Sequence, residues 1–343
     1  MEVLLPFILI FAGFFVGLNI GANDAANCIG TTVGAQIISF RKAVAIMAVF
    51  VILGGVLQGH HVMKTVGKGI VISDSQNFEK HNKTEAGQEF WGYFPDNRLP
   101  DKAILVALLS AGFFVSLATF SSIPVSTSQA IVGGVAGVGI GIVGLNGSYF
   151  QLGVLVKIFG AWVISPVLTM IMAIILYSLL GFFLKRANSL VWSKVMGIAV
   201  VCSAAYVSFS LGANDVGNAI GPLLSKYPDK GLWLAVLGGV AMALGAIAFG
   251  ERVTDTVGKS ITPLDYSGAL SAQFAAAFGV HLFSMAGIPV STSQAVVGGV
   301  IGVGLTKGMQ AVSAKKISSI FIGWVATPAC AAIFAALVYR LVA

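Results

Sequence analysis

The sequence predicts an all-α protein that crosses a lipid bilayer many times, built from two related halves with inverted topology and with broken helices or re-entrant hairpins at mid-membrane. Three observations predict this fold: a shortage of charge, long uncharged runs, and an internal repeat of polar motifs. The 343 residues are 57% hydrophobic and only 10% charged, whereas soluble domains carry about 25% charged residues. The deficit indicates that most of the chain contacts lipid.

Charged residues are confined to short stretches between long apolar runs. No Asp, Glu, Lys or Arg occurs at positions 103–156 or 266–306. A spanning helix needs about 20 apolar residues, so each run is expected to hold more than one pass. We predict ten apolar segments, two of them short and rich in glycine (130–145 and 294–306). The other eight are 3–20, 43–59, 102–120, 150–184, 195–211, 231–249, 267–287 and 317–341.

Two polar motifs occur twice in the same order, which indicates a duplicated architecture. Gly-Ala-Asn-Asp starts at Gly21 and again at Gly212, an offset of 191 residues. Pro-Val-Ser-Thr-Ser-Gln starts at Pro124 and again at Pro289, an offset of 165. The first half therefore contains about 26 extra residues, which we assign to a polar aqueous loop at about 73–101.

The repeats are predicted to occupy residues 1–188 and 192–343. Each holds five apolar segments, and an odd number of crossings inverts the second repeat relative to the first. Many secondary transporters have this architecture, with the binding site at the interface between the repeats.

The aspartates of the first motif, Asp24 and Asp215, each follow an uninterrupted apolar run. A carboxylate at membrane depth is costly unless it is paired or faces a polar cavity. No Lys or Arg lies within ten residues on the apolar side of either aspartate, so we expect a bound cation as the partner. The small neighbouring residues would allow an unwound backbone that offers carbonyl oxygens as further ligands. The alternative is that each aspartate is an ordinary helix cap at the membrane surface.

Oxygen-bearing side chains accompany both aspartates, and oxygen ligands suit Na⁺ or another hard cation. We assign the amide residues of the two motifs to this predicted cation site: Asn23, Asn27, Gln129, Asn214, Asn218 and Gln294.

The serine-rich motifs predict helices that start again inside the membrane. Proline disfavours helix in the residue before it and is welcome in a first helical turn. The hydroxyls that follow are good N-caps, and a helix N-terminus attracts anions. The predicted anion-binding residues are Ser126, Thr127, Ser128, Ser291, Thr292 and Ser293. The alternative is a proline kink with hydroxyls bonded back to the helix.

Together these motifs resemble the inorganic phosphate transporter (PiT) family, the sodium- or proton-coupled phosphate permeases, over essentially the whole chain. The resemblance implies a homodimer that moves inorganic phosphate together with a cation. The oxygen-rich sites and the absence of paired histidines favour Na⁺ as that cation, so we expect a phosphate and Na⁺ symporter in the plasma membrane, with no cofactor. It also implies that Asp24 and Asp215 are the essential aspartates. Two features depart from the family: Val51 stands where animal members carry glutamate, and Gln129 and Gln294 stand where the serine-rich motif often ends in histidine.

Other functions of the same architecture remain open at this stage. A proton-coupled phosphate permease and a sulfate permease are the nearest alternatives, and an anion channel is a more distant one. An enzyme is not expected, because no nucleophile, base and orienting group can be assigned together. The net charge of +7 is expected to influence the orientation of the protein in the membrane. It does not indicate nucleic-acid binding, because the sequence has no basic stripe with interleaved aromatic residues.

Overall fold

The computed structural model describes residues 4–34, 36–120, 125–184, 189–258, 264–308 and 314–342. Pro124, the first residue of one serine-rich motif, lies outside these ranges. Apart from one isolated bridge between Val71 and Phe150, the regular structure in the described ranges is helical. The α-helices are α1 Leu5–Gly34, α2 Phe40–Gln58, α3 His60–Lys68, α4 Ser75–Asn82, α5 Gln88–Tyr93, α6 Asp101–Phe120, α7 Thr127–Val143, α8 Leu152–Leu184, α9 Ser189–Leu224, α10 Gly231–Gly258, α11 Tyr266–Met285, α12 Thr292–Lys307 and α13 Ala314–Val342.

Eight helices among the described residues are long and apolar enough to cross a membrane, which confirms a multi-pass membrane protein. They lie in α1, α2, α6, α8, α9, α10, α11 and α13. The helices α7 and α12 are shorter, with 17 and 16 residues, and they correspond to the two short segments predicted from the sequence. Helices suit this solvent because they satisfy their backbone hydrogen bonds internally.

The helices α1 and α9 continue through the Gly-Ala-Asn-Asp motifs, so the unwound backbone that the small residues would allow is not present there. The predicted segments 3–20 and 195–211 stop short of both motifs, whereas the helices extend to Gly34 and Leu224. The small residues have a different use. Gly21 lies directly against the backbone carbonyl of Met242, because a residue without a Cβ lets two membrane helices approach closely.

The serine-rich motif of the second half interrupts the helix as predicted. Helix α11 ends at Met285, and α12 starts at Thr292 after a non-helical stretch. Its N-cap is Ser291, whose Oγ accepts a hydrogen bond from the Gln294 backbone N–H at 3.2 Å. In the first half α7 starts at Thr127 with the equivalent cap.

The helices on either side of the second break form an antiparallel hairpin. Gly268, at the start of α11, lies beside Val303 near the end of α12. Gly299 lies beside the backbone of Ala272, so residue numbers fall along one helix as they rise along the other.

The second apolar segment differs between the halves. In the first half it is divided at Gly59 into α2 and α3, whereas α10 is continuous from Gly231 to Gly258. The helix α8 also remains continuous through Pro166.

The stretch at 73–101 is folded rather than an extended loop. It contains α4 and α5, and the rings of Phe78, Phe90 and Phe94 gather around Tyr149, with centroid distances of 5.2, 6.4 and 6.2 Å. These large buried rings anchor the insertion to the connection between α7 and α8.

Backbone contacts of α1, α2, α9 and α10 recur with the halves exchanged. Gly21 meets the Met242 carbonyl, and Gly212, 191 residues later, meets the carbonyl of Val51. In the same way Gly245 meets the Leu18 carbonyl and Gly54 meets that of Phe209. Each half therefore packs its first helix against the second helix of the other half.

The serine-rich hairpins show the same exchange. Gly133 of α7 lies against the carbonyl of Pro328 in α13, and Gly298 of α12 lies against the carbonyl of Pro166 in α8. The last helix of each half therefore supports the short helix of the other half.

Candidate functional site

All fourteen side chains assigned to cation or anion binding are buried. They lie on α1, α7, α9 and α12, at or just before the helix starts in the case of the serine-rich motifs. Nine of them join one hydrogen-bonded cluster that we call the central cluster: Asp24, Asn27, Thr127, Ser128, Asn214, Asp215, Asn218, Thr292 and Ser293.

Asp24 accepts hydrogen bonds from its own helix and from the start of α7. Its Oδ1 accepts from Asn27 Nδ2 at 2.7 Å, one turn along α1, and its Oδ2 accepts from Thr127 Oγ1 at 3.0 Å. The same Asn27 amide donates to Ser293 Oγ at 2.8 Å. Asn27 therefore links the Asp24 carboxylate to the start of α12 in the other half of the chain.

Asp215 repeats this geometry with the halves exchanged. Its Oδ1 accepts from Asn218 Nδ2 at 2.7 Å, and its Oδ2 accepts from Thr292 Oγ1 at 3.0 Å. The Asn218 amide also donates to Ser128 Oγ at 2.7 Å. The central cluster therefore has approximate two-fold symmetry in its chemistry as well as in its sequence.

One hydroxyl connects the two carboxylates. Thr127 Oγ1 lies 3.0 Å from Asp24 Oδ2 and 3.4 Å from Asp215 Oδ1. A hydroxyl has a single proton, so it donates to only one carboxylate at a time. The exposed fractions of Asp24 and Asp215 are 1% and 0%, and among the described residues no Lys or Arg forms an ion pair with either. Two buried carboxylates this close favour a compensating cation.

The remaining predicted residues surround the central cluster. The hydroxyls of Ser126 and Ser291 cap their own helices by accepting from Gln129 N and Gln294 N. The Oε1 atoms of Gln129 and Gln294 and the Oδ1 of Asn218 are buried and have no hydrogen-bond partner among the described residues. Such carbonyl oxygens are hard ligands suited to an alkali cation.

Sequence reasoning missed three contributors. The Val290 carbonyl accepts from Ser128 Oγ and Asn214 Nδ2 at 2.5 and 2.7 Å, and a backbone atom has no signature in the sequence. Thr119 of α6 accepts from Asn23 Nδ2 at 3.1 Å. Gln273 of α11 donates to the Cys28 carbonyl at 3.1 Å and so ties α11 to α1. A polar residue within an apolar run was the available signal for Thr119 and Gln273.

A multi-pass helical fold with buried carboxylates beside interrupted helices is typical of a membrane transporter. Comparison with known proteins gives the same class. The profile of the Phosphate transporter family matches residues 20–335. A protein of Thermococcus kodakarensis is 30% identical, covering 99% of each chain. One of Methanocaldococcus jannaschii is 32% identical, covering 69% of this chain and 75% of its own. Both are named "Putative phosphate permease".

A solved structure described as "The sodium-dependent phosphate transporter" is also similar. It superposes with a TM-score of 0.83 at 29% identity, covering 100% of this chain and 99% of its own. The chain belongs to the phosphate transporter family. This assignment confirms the resemblance drawn from the motifs and the expectation that the chain is a transporter rather than an enzyme.

Proposed function

We propose that this protein is a symporter that carries inorganic phosphate across the cell membrane together with Na⁺, using the central cluster as its binding site. The observation that carries the proposal is the pair of buried carboxylates, Asp24 and Asp215, in contact with one hydroxyl at the start of α7. Phosphate adds further negative charge at such a site. Anion and cations must therefore bind together, because uncompensated charge in a low-dielectric interior is prohibitive.

Na⁺ is favoured over H⁺ because of the oxygen atoms around the carboxylates. The carbonyl oxygens of Gln129, Gln294 and Asn218 are buried without a partner among the described residues. A proton would need only a carboxylate oxygen, whereas a hard metal cation uses several oxygen ligands. The sodium dependence named for the similar solved structure supports the same choice.

Phosphate is proposed to bind at the starts of α7 and α12. These positions offer hydroxyls and the partial positive charge of two helix N-termini, which suit a tetrahedral anion. Thr127 and Thr292 donate to the two carboxylates. A cation bound by those carboxylates competes for their oxygens and frees the hydroxyls for phosphate, so we expect Na⁺ binding to precede phosphate binding.

We also propose that residues 1–188 and 192–343 form inverted repeats. Two contacts support parallel packing of α9 against α2 and α3: Gly54 with Phe209, and Gly67 with Gly221. Helix α2 follows α1 after a short connection and is expected to return across the membrane. If α9 is parallel to α2, it runs opposite to α1, its counterpart in the first half. The homodimer implied by the family resemblance stays a prediction.

Uptake of radioactive phosphate into proteoliposomes tests the proposed coupling. We expect an inward Na⁺ gradient to drive accumulation, and an equal gradient of choline to leave only leak. A tenfold excess of sulfate should compete weakly, because sulfate cannot donate a hydrogen bond to an ionised carboxylate. Uptake that follows a pH gradient and ignores Na⁺ would overturn Na⁺ coupling, strong inhibition by sulfate would overturn phosphate selectivity, and non-saturating current would indicate a channel.

Thr127→Ala and Thr292→Ala are each expected to raise the phosphate concentration at half-maximal uptake by about tenfold or more. A hydrogen bond to a charged group contributes about 1.5–3 kcal/mol, which corresponds to that range. The measurement is the phosphate dependence of uptake at saturating Na⁺. Thr127→Ser, which keeps the hydroxyl, is the matched control and should stay close to wild type. Unchanged phosphate dependence in both alanine variants would remove these hydroxyls from the anion site.

A further inference from the structure

The central cluster is closed to water in this structure, so a solute reaches it only after part of the bundle moves. Ser128 on α7 and Asp215 on α9 are both 0% exposed, and Ser128 Oγ lies 3.3 Å from Asp215 Oδ1. Ser128 belongs to the first hairpin, formed by α6 and α7, in which Gly134 lies against the Ala107 carbonyl. Opening a path to this contact requires the first hairpin and α9 to separate.

An ion pair holds the base of the first hairpin to the end of α9. Asp101 is the first residue of α6, and Lys226 lies two residues beyond the end of α9. Lys226 Nζ donates to Asp101 Oδ2, and Arg98 Nη1 donates to Asp101 Oδ1 at 2.6 Å. The side chains of Lys226 and Asp101 are only 16% and 17% exposed, so salt and water screen this pair less than an exposed one.

A second contact lies directly beside the ion pair. The backbone N–H of Leu99 donates to Ser225 Oγ at 3.2 Å, and both residues are buried. Leu99 comes just before α6, and Ser225 directly follows α9. We call these two contacts, Asp101 with Lys226 and Leu99 with Ser225, the hairpin clasp. The clasp lies at the boundary of two membrane-spanning segments, at the end of the bundle where α10 begins.

The other half cannot form an equivalent ion pair. The repeat offsets pair Asp101 with Tyr266 and Lys226 with Ala35, which are neutral residues. The sequence of α1 contains no charged residue other than Asp24. The end of α1 therefore offers no ionic partner to a hairpin.

The charged side chains of the second hairpin, formed by α11 and α12, pair with each other instead. Lys307 Nζ donates to Asp265 Oδ1 at 2.8 Å, which joins the end of α12 to the residue that caps the start of α11. Within the part of the chain that the structure describes, no ion pair joins the second hairpin to α1. The hairpin clasp is therefore a feature of one end of the bundle.

Given the transport function proposed above, we propose that the hairpin clasp is a gate, which opens to let solutes reach the central cluster from its own end of the bundle. While Asp101 and Lys226 are paired, the first hairpin stays against α9 and this end is closed. When they separate, Ser128 moves away from Asp215 and water enters from this end. Because the second hairpin has no such clasp, we expect the opposite end to open more readily.

Thiol labelling of Ser128→Cys tests the gate without measuring transport. In detergent, and in a background without the native cysteines, Lys226→Met should raise the rate of labelling by a water-soluble thiol reagent. The expected rise is about threefold to tenfold, the size that loss of a partly buried ion pair would produce. Lys226→Arg keeps the charge and should label at the parent rate. Lys230→Met, which changes an exposed lysine in the next turn, should do the same.

A second thiol position distinguishes opening of the gate from general loosening of the fold. Ser208 is fully buried and precedes Asp215 in α9, whereas Lys226 follows it. Labelling of Ser208→Cys should therefore stay slow when Lys226→Met is added. An unchanged labelling rate of Ser128→Cys in Lys226→Met, or an equal rise at both thiol positions, would overturn the gate.

Cross-linking tests whether the clasp opens during transport. In protein carrying both Asp101→Cys and Lys226→Cys, a short bifunctional thiol reagent should stop phosphate uptake into proteoliposomes, and cleavage of the linker by a reductant should restore it. Each single cysteine variant should keep its uptake under the same treatment. Uptake by the cross-linked protein at the rate of the reduced protein would overturn the gate. Absence of phosphate uptake by the wild type would overturn the proposed transport function and leave the labelling result as the test of the clasp.

Discussion

Asp24→Asn and Asp215→Asn are each expected to abolish Na⁺-driven phosphate uptake while the protein remains folded. Asparagine has nearly the same shape as aspartate but carries no charge, so the proposed cation loses its strongest ligand. Removing one partner of a buried charge pair costs about 3–5 kcal/mol, which corresponds to a loss of affinity between about a hundredfold and several thousandfold. Uptake and direct ²²Na⁺ binding in detergent are the measurements. Near-normal uptake by either variant would contradict the assigned role.

The controls for this experiment distinguish loss of charge from loss of fold. Asp229→Asn replaces an exposed aspartate in the turn before α10 and should transport like wild type. Size-exclusion profiles should show folded protein for all three variants. Asp215 accepts from Asn214, Asn218 and Thr292, more donors than the structure gives Asp24. We therefore expect the melting temperature to fall further for Asp215→Asn than for Asp24→Asn.

Gly21→Ala is expected to destabilise the folded protein by about 1–3 kcal/mol or more, the cost of overpacking a close contact. A Cβ at this position would overlap the backbone carbonyl oxygen of Met242, which cannot turn away as a side chain can. Gly212→Ala, the matched change in the other half, would overlap the Val51 carbonyl in the same way. Both variants should give less folded protein and a lower melting temperature in detergent.

Gly160→Ala in α8 is the control for this pair. A Cβ there would meet no atom within 4 Å. Alanine favours helix over glycine by about 1 kcal/mol, so this variant should be as stable as wild type or slightly more stable. Equal melting temperatures for Gly21→Ala and Gly160→Ala would contradict close packing of α1 on α10.

Much of the architecture was predictable because two polar motifs recur in the sequence, and such motifs are rare within long apolar segments. The helix restarts at Thr127 and Thr292 followed from proline and hydroxyl residues, whose local preferences do not depend on distant contacts. The continuation of α1 through Asn23 and Asp24 was not predictable. These residues have low intrinsic helix propensity, and packing against α10 overrides it. The folded insertion was missed because Phe90 finds its partner Tyr149 far along the chain.

The members of the candidate site were easier to predict than their arrangement. Burial of all fourteen side chains followed from their place between apolar runs. Sequence reasoning assigned aspartates to cations and hydroxyls to the anion, as separate groups. The structure brings Thr127 onto Asp24 and Thr292 onto Asp215, which are 103 and 77 positions apart. No local pattern encodes contacts at such separations.

The exchanged glycine contacts limit which movements are available to the molecule. Where Gly21 meets Met242 and Gly212 meets Val51, backbone touches backbone, and no flexible side chain lies between the helices to absorb a shift. Each of these contacts joins one half to the other, so we expect the two helices of each pair to move as one rigid unit. A change of shape is then expected between these helix pairs and the short helices α7 and α12, which places the hinges beside the proposed binding residues.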